Sequence, residues 1–180
     1  MPVTGCVRHG GARAGDTAIT HRTTEDRSRA LARELREVHT RLRAALDLAL
    51  DQTDDDPDAP RAAPGQDPLL YCWGFCAALD GHHRSEDDAL FPVLVRAHPD
   101  LAPVVEQLRQ DHRMIEHLLG SLRQAVRSGA SRQERRRHLE GVGAIMESHF
   151  RFEERRILPL LEELDPDGVP PAGALYGPLA

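Results

Sequence analysis

The tract His82-His83-Arg84-Ser85-Glu86-Asp87-Asp88-Ala89-Leu90-Phe91-Pro92 is answered later in the chain by His149-Phe150-Arg151-Phe152-Glu153-Glu154-Arg155-Arg156-Ile157-Leu158-Pro159. Both read H-x-x-x-E-[DE]-x-x-[LI]-[LF]-P. A His and a Glu four residues apart share one side of a helix, about 5–6 Å between Cβ atoms, so each copy offers one imidazole and one carboxylate to a common point. Any fold of this chain must find partners for both pairs, because they lie within apolar helical stripes and an unpaired buried imidazole or carboxylate is costly.

Composition supports helices throughout. Aromatics make up 4% of the 180 residues, while Leu, Ala, Arg and Glu abound, a helix-forming mixture poor in strand formers. With 40% apolar content and this length, one domain with its own core is expected. All 23 basic residues are Arg, a bias of GC-rich genomes that suggests a bacterial source. A net charge of −6 disfavours a nucleic-acid partner. The longest apolar stretch, Leu69 to Leu79, is far short of the roughly 20 residues a membrane span needs. No apolar signal core opens the chain, so a cytoplasmic location and no membrane partner are expected.

Residues 1–22 lack hydrophobic periodicity and read as a flexible leader, with the folded domain over 23–164. Apolar residues at three-and-four spacing predict a first helix from Arg29 to Leu50, with His39 on its apolar face. Residues 51–68 carry six Asp and four Pro and read as a solvated loop. A second helix is predicted from Asp67-Pro68 to about Arg96; Cys72, Phe75, Leu79, His82, Glu86, Leu90 and Val93 trace its inner face, and Pro92 should kink or tighten its last turn. Asp100 is the expected N-cap of a third helix from Leu101 to about Arg127, whose stripe includes His112. Ser131 and Glu134 form a capping box opening a fourth helix, lined by Leu139, Val142, Ile145, His149, Phe152, Glu153, Ile157 and Leu160, to about Leu164. Residues 165–180 read as a tail. The prediction is an all-α, up-down-up-down four-helix bundle. Cys72 and Cys76 are read as reduced, buried thiols, and Arg132 to Arg137 as an exposed helix face.

Every predicted helix then carries a polar group on its core face: His39 on the first, His82 and Glu86 on the second, His112 on the third, His149 and Glu153 on the fourth. Imidazole with carboxylate suits iron, manganese or zinc, and no cysteine pair has the spacing of a thiolate zinc site. Such a set can hold two metals with both carboxylates as bridges. His83 with Asp87 has the same spacing as His82 with Glu86, so the register needs a second criterion. Aligning Ile157-Leu158-Pro159 on Leu90-Phe91-Pro92 favours His82 and Glu86, leaving His83, Asp87 and Glu154 to surround the ligands or face solvent.

This set of residues resembles the hemerythrin-like HHE cation-binding domain family over about Leu31 to Leu164. The resemblance implies a bundle holding two iron ions with a bridging oxo or hydroxo group, at His39, His82, Glu86, His112, His149 and Glu153. Oxygen-carrying members place a further His four residues beyond the third-helix His, where this chain has Glu116, with His117 one position on. The fourth-helix carboxylate is also at i+4 here instead of i+5. The departures resemble the sensor and stress-related branches. Glu116 can complete a metal's shell, orient a ligand or face solvent. Ferritin-type bundles are a poorer match, since their Glu-x-x-His pairs have the opposite order and a shorter gap.

The function expected is that of a di-iron protein binding or reacting with dioxygen, hydrogen peroxide or nitric oxide, with a catalase-like or oxidative-stress role. The alternative is a non-enzymatic iron or oxygen sensor acting through a partner protein, for which metal-coupled folding is a physical basis.

Overall fold

The computed structural model describes residues 14–53, 68–165 and 169–180 of the chain. In chain order these form α1 (Ala14–Asp51), α2 (Pro68–Ser85), a π-helical turn (Glu86–Leu90), α3 (Phe91–Ala97), a 3-10 turn (Pro99–Leu101), α4 (Ala102–Arg127), α5 (Arg132–Glu163) and α6 (Ala172–Tyr176). No strand occurs among the described residues. α1 packs on α2 and α5, and α4 packs on α5 and α2, which closes the ring of the expected four-helix bundle. The α1–α5 pairing is antiparallel: Ser28 bonds to the Leu164 carbonyl, His39 meets Glu154, and Arg43 meets Glu147.

The α4 stripe is buried as predicted, from Val105 through His112 to Val126. At its end Gly129 takes φ 71, and the amides of Gly129 and Ala130 return to the carbonyls of Val126 and Ala125. This Schellman turn needs a left-handed residue, which glycine supplies without steric cost. The reversal leads into the predicted capping box: the Ser131 hydroxyl accepts from the Glu134 amide while the Glu134 carboxylate accepts from the Ser131 amide. Such a cap is worth about 1 kcal/mol.

Several boundaries differ from expectation. α1 begins at Ala14, so residues 14–22 of the predicted leader are helical; residues 1–13, and 54–67 of the acidic loop, lie outside the described residues. Asp100 caps nothing; it sits inside the 3-10 turn, and α4 starts after Leu101 without a side-chain cap bond. On α5 the buried set includes Met146 and Phe150, while Ile145 is exposed and Phe152 half-buried. That helix touches both α1 and α4, so its covered face is broader than one stripe and is centred away from Ile145.

The C-terminal residues also depart from the predicted tail. Leu175 and Tyr176 are fully buried, and the Tyr176 hydroxyl donates to the Leu31 carbonyl at 3.1 Å. Burying two such side chains favours docking by about 1.5–3 kcal/mol each. Cys72 and Cys76 are free and buried as expected, and burial pushes the Cys76 thiol up to about 11.

Candidate metal centre

α2 does not run unbroken to Arg96. At Glu86 the ladder opens to a π turn, in which the Phe91 amide bonds to the Glu86 carbonyl. Pro92 has no N–H for the Asp88 carbonyl and its ring would crowd that oxygen in an α-helix; a wider turn relieves the crowding. The turn is thus widened where tightening or kinking was expected. Pro159 sits inside α5 with no such turn, so proline alone is insufficient. The extra residue moves the apolar face on by one position, and Leu90, Phe91 and Leu94 are buried while Val93 is only partly covered. π turns of this kind are frequent at functional sites.

The structure places all six expected ligands in the bundle interior and adds His83. His39, His82, Glu86 and Glu153 form one group, and His83, His112 and His149 a second; within each group one potential ligand atom per residue lies within 4.8 Å of the others. The two carboxylates reach across. Glu86 stands 3.2 Å from His82 Nε2 through Oε1 and 3.5 Å from His112 Nε2 through Oε2. Glu153 Oε2 lies 3.3 Å from His39 Nε2 and 3.7 Å from His149 Nε2. Ring stacking holds the imidazoles: His39 lies on Phe150 with centroids 3.9 Å apart, and His83 on His112 at 4.1 Å.

Four of the outward nitrogens lie near an acceptor, that of His112 without hydrogen-bond geometry. His39 Nδ1 is 2.9 Å from Glu154, His112 Nδ1 is 3.1 Å from Asp87, and His149 Nδ1 is 3.5 Å from Asp111. His82 Nδ1 is 3.0 Å from the Tyr176 carbonyl. A carbonyl only accepts, so His82 carries its proton on Nδ1 and turns an Nε2 lone pair inward. Acceptors on the outer nitrogen are the usual support of metal-binding imidazoles.

Inside, partners are lacking. The Nε2 atoms of His39, His82 and His83 and both oxygens of Glu86 and of Glu153 are buried without a hydrogen bond, which is costly unless something else satisfies them. His112 Nε2 and His149 Nε2 face each other at 3.2 Å. Two ligands bound to one ion at about 2.1 Å and about 100° have that separation.

Electrostatics agree. Burial, with the Glu153 charge nearby, pushes Glu86 well above the usual carboxylate range. Burial also acts to raise Glu153, but the adjacent His39 ring holds it below that range. Burial drives His82 down to about 3, helped by His39, and lowers His83 and His112. These three imidazoles are therefore neutral at pH 7, the form that binds metal. His39 is raised instead, because Glu153 and Glu154 outweigh burial.

Two of the additional candidates fall away. Glu116 and His117 are exposed on α4, because position 116 lies on the flank of a stripe centred between His112 and Ile115. Neither belongs to the interior groups, and Glu116 takes the last of its three expected places, facing solvent. His83, expected as a possible additional ligand or as a support of the ligands, belongs to the interior with 5% exposure. Asp87 and Glu154 take the outer places open to them in the sequence. Asp111 and the Tyr176 carbonyl were not foreseen. Asp111 directly precedes His112, a weak signal; a main-chain oxygen of the C-terminal segment has none.

The donor set of imidazole and carboxylate, with its inward atoms unsatisfied, fits cations of the iron, manganese and zinc kind. Searches of curated proteins and of solved structures return no match for this chain. A family model described as the hemerythrin HHE cation binding domain matches residues 30–161. That span contains every side chain of the two interior groups, and the chain belongs to the hemerythrin HHE cation-binding domain family.

Proposed function

We propose that the protein holds two iron ions between its four main helices and binds or reacts with dioxygen, hydrogen peroxide or nitric oxide. The observation that carries this reading is the pair of interior groups joined by Glu86 and Glu153, each of which faces an imidazole on both sides. Bound iron would supply redox electrons and a coordination place for a small ligand. His83, His112 and His149 would hold one ion and His39 and His82 the other, with Glu86 and Glu153 placed to serve both; the side with fewer imidazoles would be the one to take up a small ligand. His83 also supplies, from α2, the imidazole that Glu116 does not supply from α4.

The surrounding residues have definable tasks. Glu154, Asp111 and the Tyr176 carbonyl hold protons on the outer nitrogens of His39, His149 and His82, and Asp87 stands 3.1 Å from that of His112. Phe150, fully buried against His39, excludes water from that side. Iron loading to about two ions per chain, measured by metal analysis and optical spectroscopy before and after peroxide, tests the reading. Rapid peroxide consumption that is lost in His112→Ala supports a catalase-like reaction. A protein that cannot be loaded with about two irons contradicts the dinuclear site.

A second reading is supported by the unsatisfied interior. A metal-free core carrying so many unpartnered polar atoms ties stability to metal, which suits an iron or oxygen sensor acting through a partner. Negligible turnover together with a large iron-dependent rise in melting temperature favours the sensor.

A further inference from the structure

Residues 169–180 lie beyond the span matched by the family model, yet their backbone reaches the metal centre. α6 leads to Tyr176, whose carbonyl sits 3.0 Å from His82 Nδ1. His39, His112 and His149 have side-chain carboxylates at this outer position. His82 instead depends on the main chain of a segment far away in sequence.

The approach of that segment requires glycine at position 177 and leaves little room for a side chain at Gly81. Gly177 has φ 82, and a Cβ there would stand 2.8 Å from the Gly81 carbonyl oxygen and 3.1 Å from His82 Cα. A Cβ on Gly81 would stand 3.1 Å from the Pro178 ring. The segment is anchored on the other side as well. The buried Tyr176 hydroxyl donates to the Leu31 carbonyl, and the Arg41 guanidinium donates to the Leu179 carbonyl.

We propose that residues 169–180 are a positioning strap of the metal centre: the Tyr176 carbonyl sets His82 to present Nε2 inward, and the strap thereby slows loss of the ion bound by His39 and His82. The inference rests on the dinuclear reading above. A segment that merely packed on the bundle would add stability without controlling where the His82 proton resides.

Gly81→Ala in the full chain separates these roles. Alanine raises the helix propensity of α2, so packing of that helix alone predicts an unchanged or higher melting temperature, whereas the added methyl pushes Pro178 and the strap outward. Gly177→Ala displaces the strap from the other side. Nitrogen-15 spectra of the metal-free protein report the His82 tautomer, and a chelator reports zinc release from the zinc-loaded protein. The expected result is an Nδ1-protonated His82 in the parent and mixed tautomers in both variants. One of two zinc ions should leave about 10–100-fold faster in the variants, the scale of lost outer support. Tyr176→Phe, which keeps the carbonyl, should retain the parent tautomer.

An Nε2-protonated His82 in the parent overturns the proposal. So does a folded Gly81→Ala protein with the parent's tautomer and release rate. A parent that takes up no metal overturns the dinuclear reading instead, and the tautomer comparison still decides the strap.

Discussion

The two halves of the interior site are built differently. His83, His112 and His149 form an all-imidazole group, and the acceptors behind His112 and His149 are Asp87 and Asp111, each about one-third exposed. His39, His82, Glu86 and Glu153 have no exposure at all, and their outer acceptors are Glu154 and a main-chain carbonyl. The first half is tuned by carboxylates in contact with water. The second is sealed by packing, with Phe150 on one side and the C-terminal segment on another. Surface charge therefore reaches one half directly and the other mainly through Glu154, which also pairs with Arg43 at 3.2 Å.

The largest expected effect comes from removing a group that serves both halves. Glu86→Met should reduce uptake from two ions to one or none by metal analysis. The same change should leave the metal-free protein as stable or more stable by about 1–4 kcal/mol, since an unsatisfied buried carboxylate is replaced by apolar atoms. Full uptake, or a destabilised metal-free protein, would break the picture of a shared bridge.

Removing a ligand of one half should separate the two. His83→Ala is expected to lower stoichiometry from two ions to one, with the remaining ion held by the carboxylate-containing half. Undiminished uptake would return His83 to the outer role that repeat alignment assigned to it.

Changes behind the ligands are expected to be smaller. Asp87→Asn and Glu154→Gln should each weaken metal affinity by about 10–100-fold. Competition with a chelator should locate the first loss in the all-imidazole half and the second in the sealed half.

Acid should act on the metal-free protein through the imidazoles. His82 is about 3 in the fold and 6.5 unfolded, so the unfolded chain binds more protons between those values. Stability from this group is complete above about pH 6.5 and falls as the pH drops towards 3; His83 and His112, also lowered, act in the same direction. Glu86, raised by burial, and His39, raised by Glu153 and Glu154, act oppositely, favouring the fold while protonated and losing that contribution as pH rises. Thermal melts from pH 7 to pH 4 should therefore show falling stability where the imidazoles dominate. A flat profile would mean that the sealed interior admits water. The smallest effect is expected at the exposed Glu116, where Glu116→Ala should change stability by no more than about 0.5 kcal/mol and leave metal stoichiometry unchanged.

Much of this molecule was legible because helical period and polar placement coincide. The α4 stripe, the Ser131–Glu134 box and the interior His39, His112, His149 and Glu153 follow from spacing, since 3.6 residues per turn bring such positions to one face, whereas His82 and Glu86 also needed the alignment of the two repeats. Where two adjacent residues compete, spacing stops deciding. His82 and His83 differ by about 100° around the helix, and a single stripe admits one of them; the structure buries both because α2 meets α4 on one flank and α1 on the other. Val93 was misplaced for a related reason, as the π turn shifts the phase after Glu86.

The sequence by itself determined the helices, their apolar faces and the chemistry of the donors, because these depend on local periodicity and residue type. Only the tertiary structure decided which donors share a point, that His83 joins them while Glu116 does not, and that a C-terminal carbonyl stands behind His82. Those outcomes depend on contacts between segments distant along the chain, and the last involves a main-chain atom that every residue possesses.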